Sequence, residues 1–239
     1  MKLTIYQIGL VNLAISMLPI VVVVVILAIW SLKSKTAIYA SVRMVIQLTA
    51  IGYVLTFIFA QDSPGIVLLV LGLMLLVASW IALRPLKQKS ANLFANALFA
   101  ISVGSVSILV LTIFAVIRID YWYQPEYVIP LAGMIFSNAM NTVSLGAERF
   151  EADMAASPDY IRARNSAFTA SLIPSINTFF AVGLVALPGM MTGQILSGVS
   201  PLIAVKYQIV IMSVLFGSSG ISSAIYLHLQ RGAVVQAKA

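Results

Sequence analysis

Ile8-Gly-Leu-Val-Asn-Leu-Ala-Ile-Ser-Met-Leu-Pro-Ile-Val-Val-Val-Val-Val-Ile-Leu-Ala-Ile-Trp-Ser-Leu32 is a run of 25 residues without a charge, and its length decides the fold. At a rise of ~1.5 Å per residue, about 20 helical residues cross the ~30 Å hydrocarbon core of a bilayer. Working outward from it, charge-free stretches recur at Met44 to Ala60, Gly65 to Leu83, Ala91 to Ile117, Val128 to Ala147, Asn165 to Val205 and Tyr207 to Gln230. Lipid offers the backbone no hydrogen bonds, so a spanning segment is either a helix or a strand of a closed barrel. Barrel strands alternate with a period of two, which these runs do not. The chain of 239 residues therefore reads as an all-α polytopic membrane protein, one transmembrane domain over 1–239 with about seven helices. Composition agrees: 61% of residues are hydrophobic and 9% charged, with a mean hydropathy of +1.04, far from a soluble domain.

The first run follows only Lys2 and is longer than the apolar core of a signal peptide, so it is expected to stay as a helix. Connections then fall at Lys33 to Lys35, Gln61 to Pro64, Arg84 to Ser90, Arg118 to Tyr127 and Glu148 to Arg164. With the amino terminus outside and the carboxyl terminus cytoplasmic, ten basic residues lie inside: Lys33, Lys35, Arg84, Lys87, Lys89, Arg149, Arg162, Arg164, Arg231 and Lys238. Three lie outside, Lys2, Arg118 and Lys206, which satisfies the positive-inside rule. Tyr121, Trp122, Tyr123 and Tyr127 read as an aromatic belt at the outer surface, with Trp30 and Trp80 at the inner one.

Asn165 to Val205 is too long for one crossing, and Pro188-Gly189, Gly193, Gly198 and Pro201 break it. Residues 188–204 are expected to form a short, partly re-entrant outer segment, since irregular backbone at membrane depth needs cover from protein or a water-filled cavity. In the last span Ser213, Gly217, Gly220 and Ala224 have the spacing that lets helices approach closely.

A net charge of +7 suggests nucleic acid only until its distribution is considered: the basic residues are scattered among short loops, and no stripe or patch forms. The chain has no cysteine, which removes disulfides and thiolate metal sites. Seven of the 21 charged residues gather in 148–164: Glu148, Arg149, Glu151, Asp153, Asp159, Arg162 and Arg164. Phe150 and Met154 stand at i and i+4 among them and suggest an apolar knob within a charged rim on a short cytoplasmic surface helix, a shape suited to docking a soluble partner. Ser157-Pro158-Asp159 then has the form of a helix start, with serine as N-cap.

Every acid lies in a loop, and Arg43 is the one ionisable group well inside a span. Carriers coupled to proton or sodium gradients usually keep a carboxylate or histidine in the membrane, whereas His228, the lone histidine, lies near the inner end of the last helix. No P-loop sequence is present, and no second histidine or buried acid would serve an intramembrane enzyme. Neutral polar groups and thioethers remain: Gln47 one turn beyond Arg43; Met134, Asn138 and Asn141 in the fifth span; Asn177 and Thr178 after Pro174 in the sixth; and Met190, Met191 and Gln194 after Pro188 and Gly189. These are the candidate lining of a substrate pathway, with Arg43, Pro174, Pro188 and Gly189 as gating or structural positions.

Three stretches together resemble one family, the permeases known as FetB or the UPF0014 group. They are Arg43-Met-Val-Ile-Gln47-Leu48 with Gly52; Ile129-Pro-Leu-Ala-Gly133-Met134-Ile-Phe-Ser-Asn138-Ala-Met140-Asn141; and Leu172-Ile-Pro174-Ser-Ile-Asn177 continuing through Pro188-Gly189-Met190-Met191-Thr-Gly193 to Gly198-Val-Ser-Pro201 and Lys206-Tyr207-Gln208-Ile209. The resemblance implies the permease subunit of an ABC transporter in the cell membrane, dimeric and driven by a separate FetA-like ATPase that holds the ATP. It implies no tightly bound cofactor, no resident metal and no enzymatic activity on this chain. Iron or another metal is the implied export cargo, and an anionic organic solute such as a nucleotide sugar is the alternative. It also assigns Arg149, Phe150, Glu151, Met154, Ser157 and Asp159 to ATPase coupling. The sequence departs from the family in a shortened inner segment, where Met154-Ala155-Ala156-Ser157-Pro158 places Ala155 at a usual glycine. A gradient-driven carrier or channel, or a scaffold without transport, are readings from other classes.

Overall fold

The computed structural model describes residues 8–59 and 63–236, with side chains described as far as Arg231. Lys2, Lys238 and most of the Gln61 to Pro64 connection lie outside them. The chain forms nine α-helices among the described residues: α1 (Leu10–Ile15), α2 (Leu18–Ile29), α3 (Ser34–Phe59), α4 (Pro64–Ala82), α5 (Ala91–Leu111), α6 (Pro125–Ala156), α7 (Tyr160–Ala181), α8 (Gly189–Leu196) and α9 (Pro201–Gln236). One isolated bridge, Val182 with Ala186, is the only extended pairing there. Six segments are long and apolar enough to cross a membrane: Leu10–Ile29, Ser34–Phe59, Pro64–Ala82, Ala91–Ile117, Pro125–Ala156 and Pro201–Arg231. With 22 residues, α7 has the length of a crossing, about 33 Å, but is the most polar of the long helices.

The chain divides into two compact units, Met1–Gln61 and Asp62–Ala239. In the first, the charge-free run breaks once, at Ser16 and Met17 ahead of Pro19, where Ser16 Oγ donates to the Leu13 carbonyl at 2.7 Å. The second span starts earlier than its apolar stretch: α3 begins at Ser34, so Lys35 rides on the helix instead of preceding it, and Arg43 lies within the helix as expected. Its side chains are almost all exposed, as expected of surfaces that face lipid.

The second unit is a bundle around α9. Gly104 of α5 lies so close to α9 that an added Cβ would meet the Ser222 backbone, 2.8 Å from N and 3.0 Å from Cα. Ser105 and Ser218 share a hydrogen bond of 3.0 Å, and Ser171 of α7 shares one of 3.1 Å with Ser223. Gly146 of α6 faces Ser223 Oγ. Small residues thus let backbones approach while hydroxyls pair across helices. Their register sets the directions: α6 runs parallel to α9, and α5 and α7 antiparallel. The packing stripe of α9 is Ser218, Ser219, Ser222 and Ser223, all fully buried, and not the expected Ser213, Gly217, Gly220 and Ala224. Ser213 and Ala224 are exposed instead. Ser218 and Ser223 gain a hydrogen bond to a neighbouring helix by turning inward, whereas Ser219 and Ser222 pack there by size, their hydroxyls unpaired among the described residues.

Two apolar clusters stack along the bundle. One joins Leu83, Leu86, Ile101, Phe150, Tyr226 and Leu227 at the end carrying the charged residues. The other joins Val67, Ile113, Ile135, Phe136, Ile211 and Val214. Trp122 and Tyr123 pack against the second cluster, while Tyr121 and Tyr127 remain about 60% exposed. The aromatic belt is therefore half core and half surface. After Leu111, α5 widens into a π-helical turn, Thr112–Ile117, that ends at Arg118 in the left-handed conformation. The helical run closes where the charge-free stretch does.

Candidate functional site

At the charged end, α6 is 32 residues long, about 48 Å. The expected surface helix at 148–156 is the continuation of this span and not a separate element, because Glu148 to Ala156 are helix-favouring residues with nothing to stop the helix. Phe150 is buried, and Met154 packs against the same cluster, so the pair forms no exposed knob. Phe150 meets Tyr160 edge to face at 6.1 Å, and Tyr160 Oη donates to the Leu227 carbonyl at 3.1 Å. Ser157 is not the N-cap of α7. It closes α6, its N–H donating to the Asp153 carbonyl at 2.9 Å, and Pro158 holds it extended. Asp159 caps α7 instead, its Oδ1 accepting from the N–H groups of Ile161 at 3.0 Å and Arg162 at 3.2 Å. Arg149 Nε lies 3.1 Å from Asp153 Oδ2 and 3.3 Å from Ser166 Oγ, tying α6 to α7. The Glu151 carboxylate accepts from the N–H of Lys87 at 3.1 Å and of Gln88 at 3.4 Å, which anchors the α4–α5 loop. Between that loop and α6 runs a groove of about 430 Å³ lined by Pro85, Lys87, Glu148, Glu151, Ala152 and Ala155. Of the assigned coupling residues, Glu151 alone reaches it.

Toward the other end, α7 and α9 part at Pro174. A proline inside a helix removes one backbone donor and crowds the preceding turn. Beyond it a cavity of about 120 Å³ opens, bordered by Asn138, Pro174, Ser175, Thr178, Phe179 and Met212. A second cavity of about 370 Å³ follows, bordered by Phe179, Leu187, Met191, Gln208, Met212 and Ser213 among others. Phe179 and Met212 line both, so the two lie side by side. Phe179 stacks on Phe216 with centroids 5.0 Å apart. No titratable side chain lines either cavity.

The chain breaks into a short helix where the sequence suggests, although residues 201–204 of the expected segment belong to α9. Gly183, at φ +81°, turns the chain after α7, its N–H donating to the Ala186 carbonyl at 2.9 Å. α8 has 8 residues, about 12 Å, and cannot cross a bilayer. Gly198, at φ +93°, permits the turn into α9. Because α9 starts at Pro201, Lys206 lies on the last helix and not in the loop before it.

The predicted pathway residues scatter. Asn138, Pro174, Thr178 and Met191 meet at the two cavities. Met134 packs in the core, and Asn141, Asn177 and Met190 are exposed outside both. Gln194 borders neither cavity, and its Oε1 is buried without a partner among the described residues. Pro188 begins α8 as its N-cap, followed by Gly189. In the first unit, Gln47 accepts from Arg43 Nε at 3.2 Å and Nη2 at 3.3 Å once its amide oxygen is turned toward the guanidinium. Sequence reasoning passed over Ser175, Met212 and Gln208 as lining residues. The signal was the placement of Gln208 and Met212 at i and i+4, on one helix face. Among the described residues no three of histidine, cysteine, aspartate and glutamate converge as metal ligands.

The sequence matches the Uncharacterised protein family (UPF0014) over residues 10–165 and 160–234. It is 36% identical over 200 residues to UPF0014 membrane protein slr1647 of a Synechocystis strain, covering 77% of each chain. It is 33% identical to the "Probable iron export permease protein FetB" of Escherichia coli, over 91% of this chain and 89% of that one. With UPF0014 membrane protein STAR2 of Oryza sativa the identity is 34%, over 80% of this chain and 71% of the relative. No solved structure matches the chain.

Proposed function

We propose, from the premise that this multi-pass membrane protein belongs to the UPF0014 family, that it is the permease subunit of an ABC transporter. Two copies span the cell membrane, and a separate ATPase that binds the ATP drives them. Its cargo is iron or another metal, moved outward, by analogy with the name of the FetB relative.

The observation that carries the reading is the open cleft beside α7 and α9, which is lined by no titratable side chain among the described residues. Asn138, Ser175, Thr178 and two methionines offer oxygens and thioethers along it. Such groups let a solute pass without holding it tightly. They provide no carboxylate or histidine for coupling to an ion gradient, so the energy must enter from elsewhere. The groove at the charged end, between the α4–α5 loop and α6, is the place for the ATPase. Glu151 joins the two walls, so a push on one moves the other.

Arg43 favours a second cargo class. It sits half-buried on α3 and brings a positive charge that a bare cation would avoid and an anionic or chelated solute would not.

Copurification with the ATPase tests the assignment. Ala152 and Ala155 are exposed in the groove, so replacing both with Asp should release the ATPase while the permease still elutes as a folded species. Undiminished copurification counts against the groove. Phe150→Asp is the wrong test, since it buries a charge in the core and unfolds the bundle.

A further inference from the structure

We infer that Met191, Met212 and Gln208 form a subsite for a soft, monovalent metal cation of the copper(I) or silver(I) class at the broken end of the cleft. The inference deepens the permease reading and rests on it for its meaning. Gln208 is 7% exposed, and its Oε1 has no hydrogen-bond partner among the described residues. It borders the larger cavity, whose other walls are almost wholly apolar. A buried amide oxygen left unpaired is costly, so this one calls for a positively polarised guest.

The other atoms at the cavity choose the guest. Met191 from α8 and Met212 from α9 both line this space, beside Ser213, whose hydroxyl donates to the Ile209 carbonyl at 2.9 Å. There is no carboxylate, imidazole or thiolate there. Hard cations keep their water unless several oxygens replace it, and one amide with one hydroxyl does not suffice. Soft ions of low coordination number take thioethers readily. Met212 also borders the smaller cavity beside Asn138 and Thr178, so an ion held there stands at the passage between the two.

The test uses the full chain purified in detergent and silver(I) nitrate in chloride-free buffer. Bound silver is counted per chain at equilibrium by dialysis, and X-ray absorption reports silver–sulfur contacts. Wild type should hold one more silver ion than the Met191→Leu/Met212→Leu double variant, in which the remaining methionines set the common background. Gln208→Met supplies a third thioether and should tighten binding several-fold, whereas Gln208→Leu should weaken it. A role of Gln208 in packing alone would make both variants bind alike. Copper(I) should displace the ion and manganese(II) should not. Equal silver content in wild type and the double variant overturns the site, as does displacement by manganese(II). A lipid that copurifies with wild type and is lost in Gln208→Leu overturns it too. Binding needs no ATPase, so intact silver binding without ATP-driven flux would sink the permease reading and leave the site standing.

Discussion

The same two helices, α7 and α9, meet in opposite ways at their two ends. From Tyr160 to Ser171 hydrogen bonds tie them together, Ser171 to Ser223 and Tyr160 to Leu227, beside a surface pocket of about 270 Å³ lined by Arg164, Asn165, Phe168, Ala224, Leu227 and His228. From Pro174 onward two open pockets lie beside them, and Phe180 is 78% exposed. Side-chain size and one proline account for the change. Alanine and serine let the helices touch, while Pro174 and the Phe179–Phe216 pair hold them apart. Hydrogen bonds at one end, and none across the other among the described residues, suit a hinged pathway, since the tied end transmits movement and the untied end receives the solute.

Pro174→Ala should break the contrast most strongly. An interior proline costs a helix about 3 kcal/mol, so the variant should melt higher in detergent while ATP-driven flux falls as the cleft narrows. Flux unchanged in a stabilised variant would mean that the proline does not hold the cleft open. On the central mast, Gly104→Ala drives a methyl into the Ser222 backbone and should cost about 1–3 kcal/mol, seen as a lowered Tm. Ser222→Gly should rescue it only in part, because it removes the Oγ that the methyl meets first but leaves the backbone N and Cα in its way.

Much of this contrast was legible beforehand, though unevenly. The run Ala91 to Ile117 gave its helix to the last residue, because lipid demands continuous helix and Arg118 marks the surface. Pro188, Gly189, Gly198 and Pro201 located the broken segment, since each sets the backbone directly. Hydropathy could not distinguish a charged loop from a charged extension of α6, and so Phe150 and Met154 read as a knob although they face the core. Nor could spacing choose between two stripes of small residues on α9. The hydroxyls of Ser218, Ser219, Ser222 and Ser223 were the neglected signal. Gln208 was hidden for a similar reason: one amide in an apolar helix is usually an interhelical bond, and only the fold leaves its oxygen unpaired beside a cavity.

Two smaller effects sharpen the closed half. Ser171→Ala and Ser223→Ala in a double-mutant cycle should show a coupling of about 0.6 kcal/mol, typical of hydroxyl pairs between membrane helices. No coupling would leave size alone as the basis of the seam. Removal of the exposed Arg149 to Asp153 pair should cost at most about 0.5 kcal/mol, with a Tm shift near the limit of detection. A large loss there would show that the Ser166 contact, not the ion pair, joins α6 to α7.

The most direct measurement is metal uptake into sealed proteoliposomes holding the inverted permease, with and without the partner ATPase. The expected result is accumulation of iron(II) or a soft cation only when ATPase and ATP are both present, and none from an imposed proton or sodium gradient. Accumulation by the permease alone, driven by such a gradient without nucleotide, would contradict a pathway that must be driven by another protein.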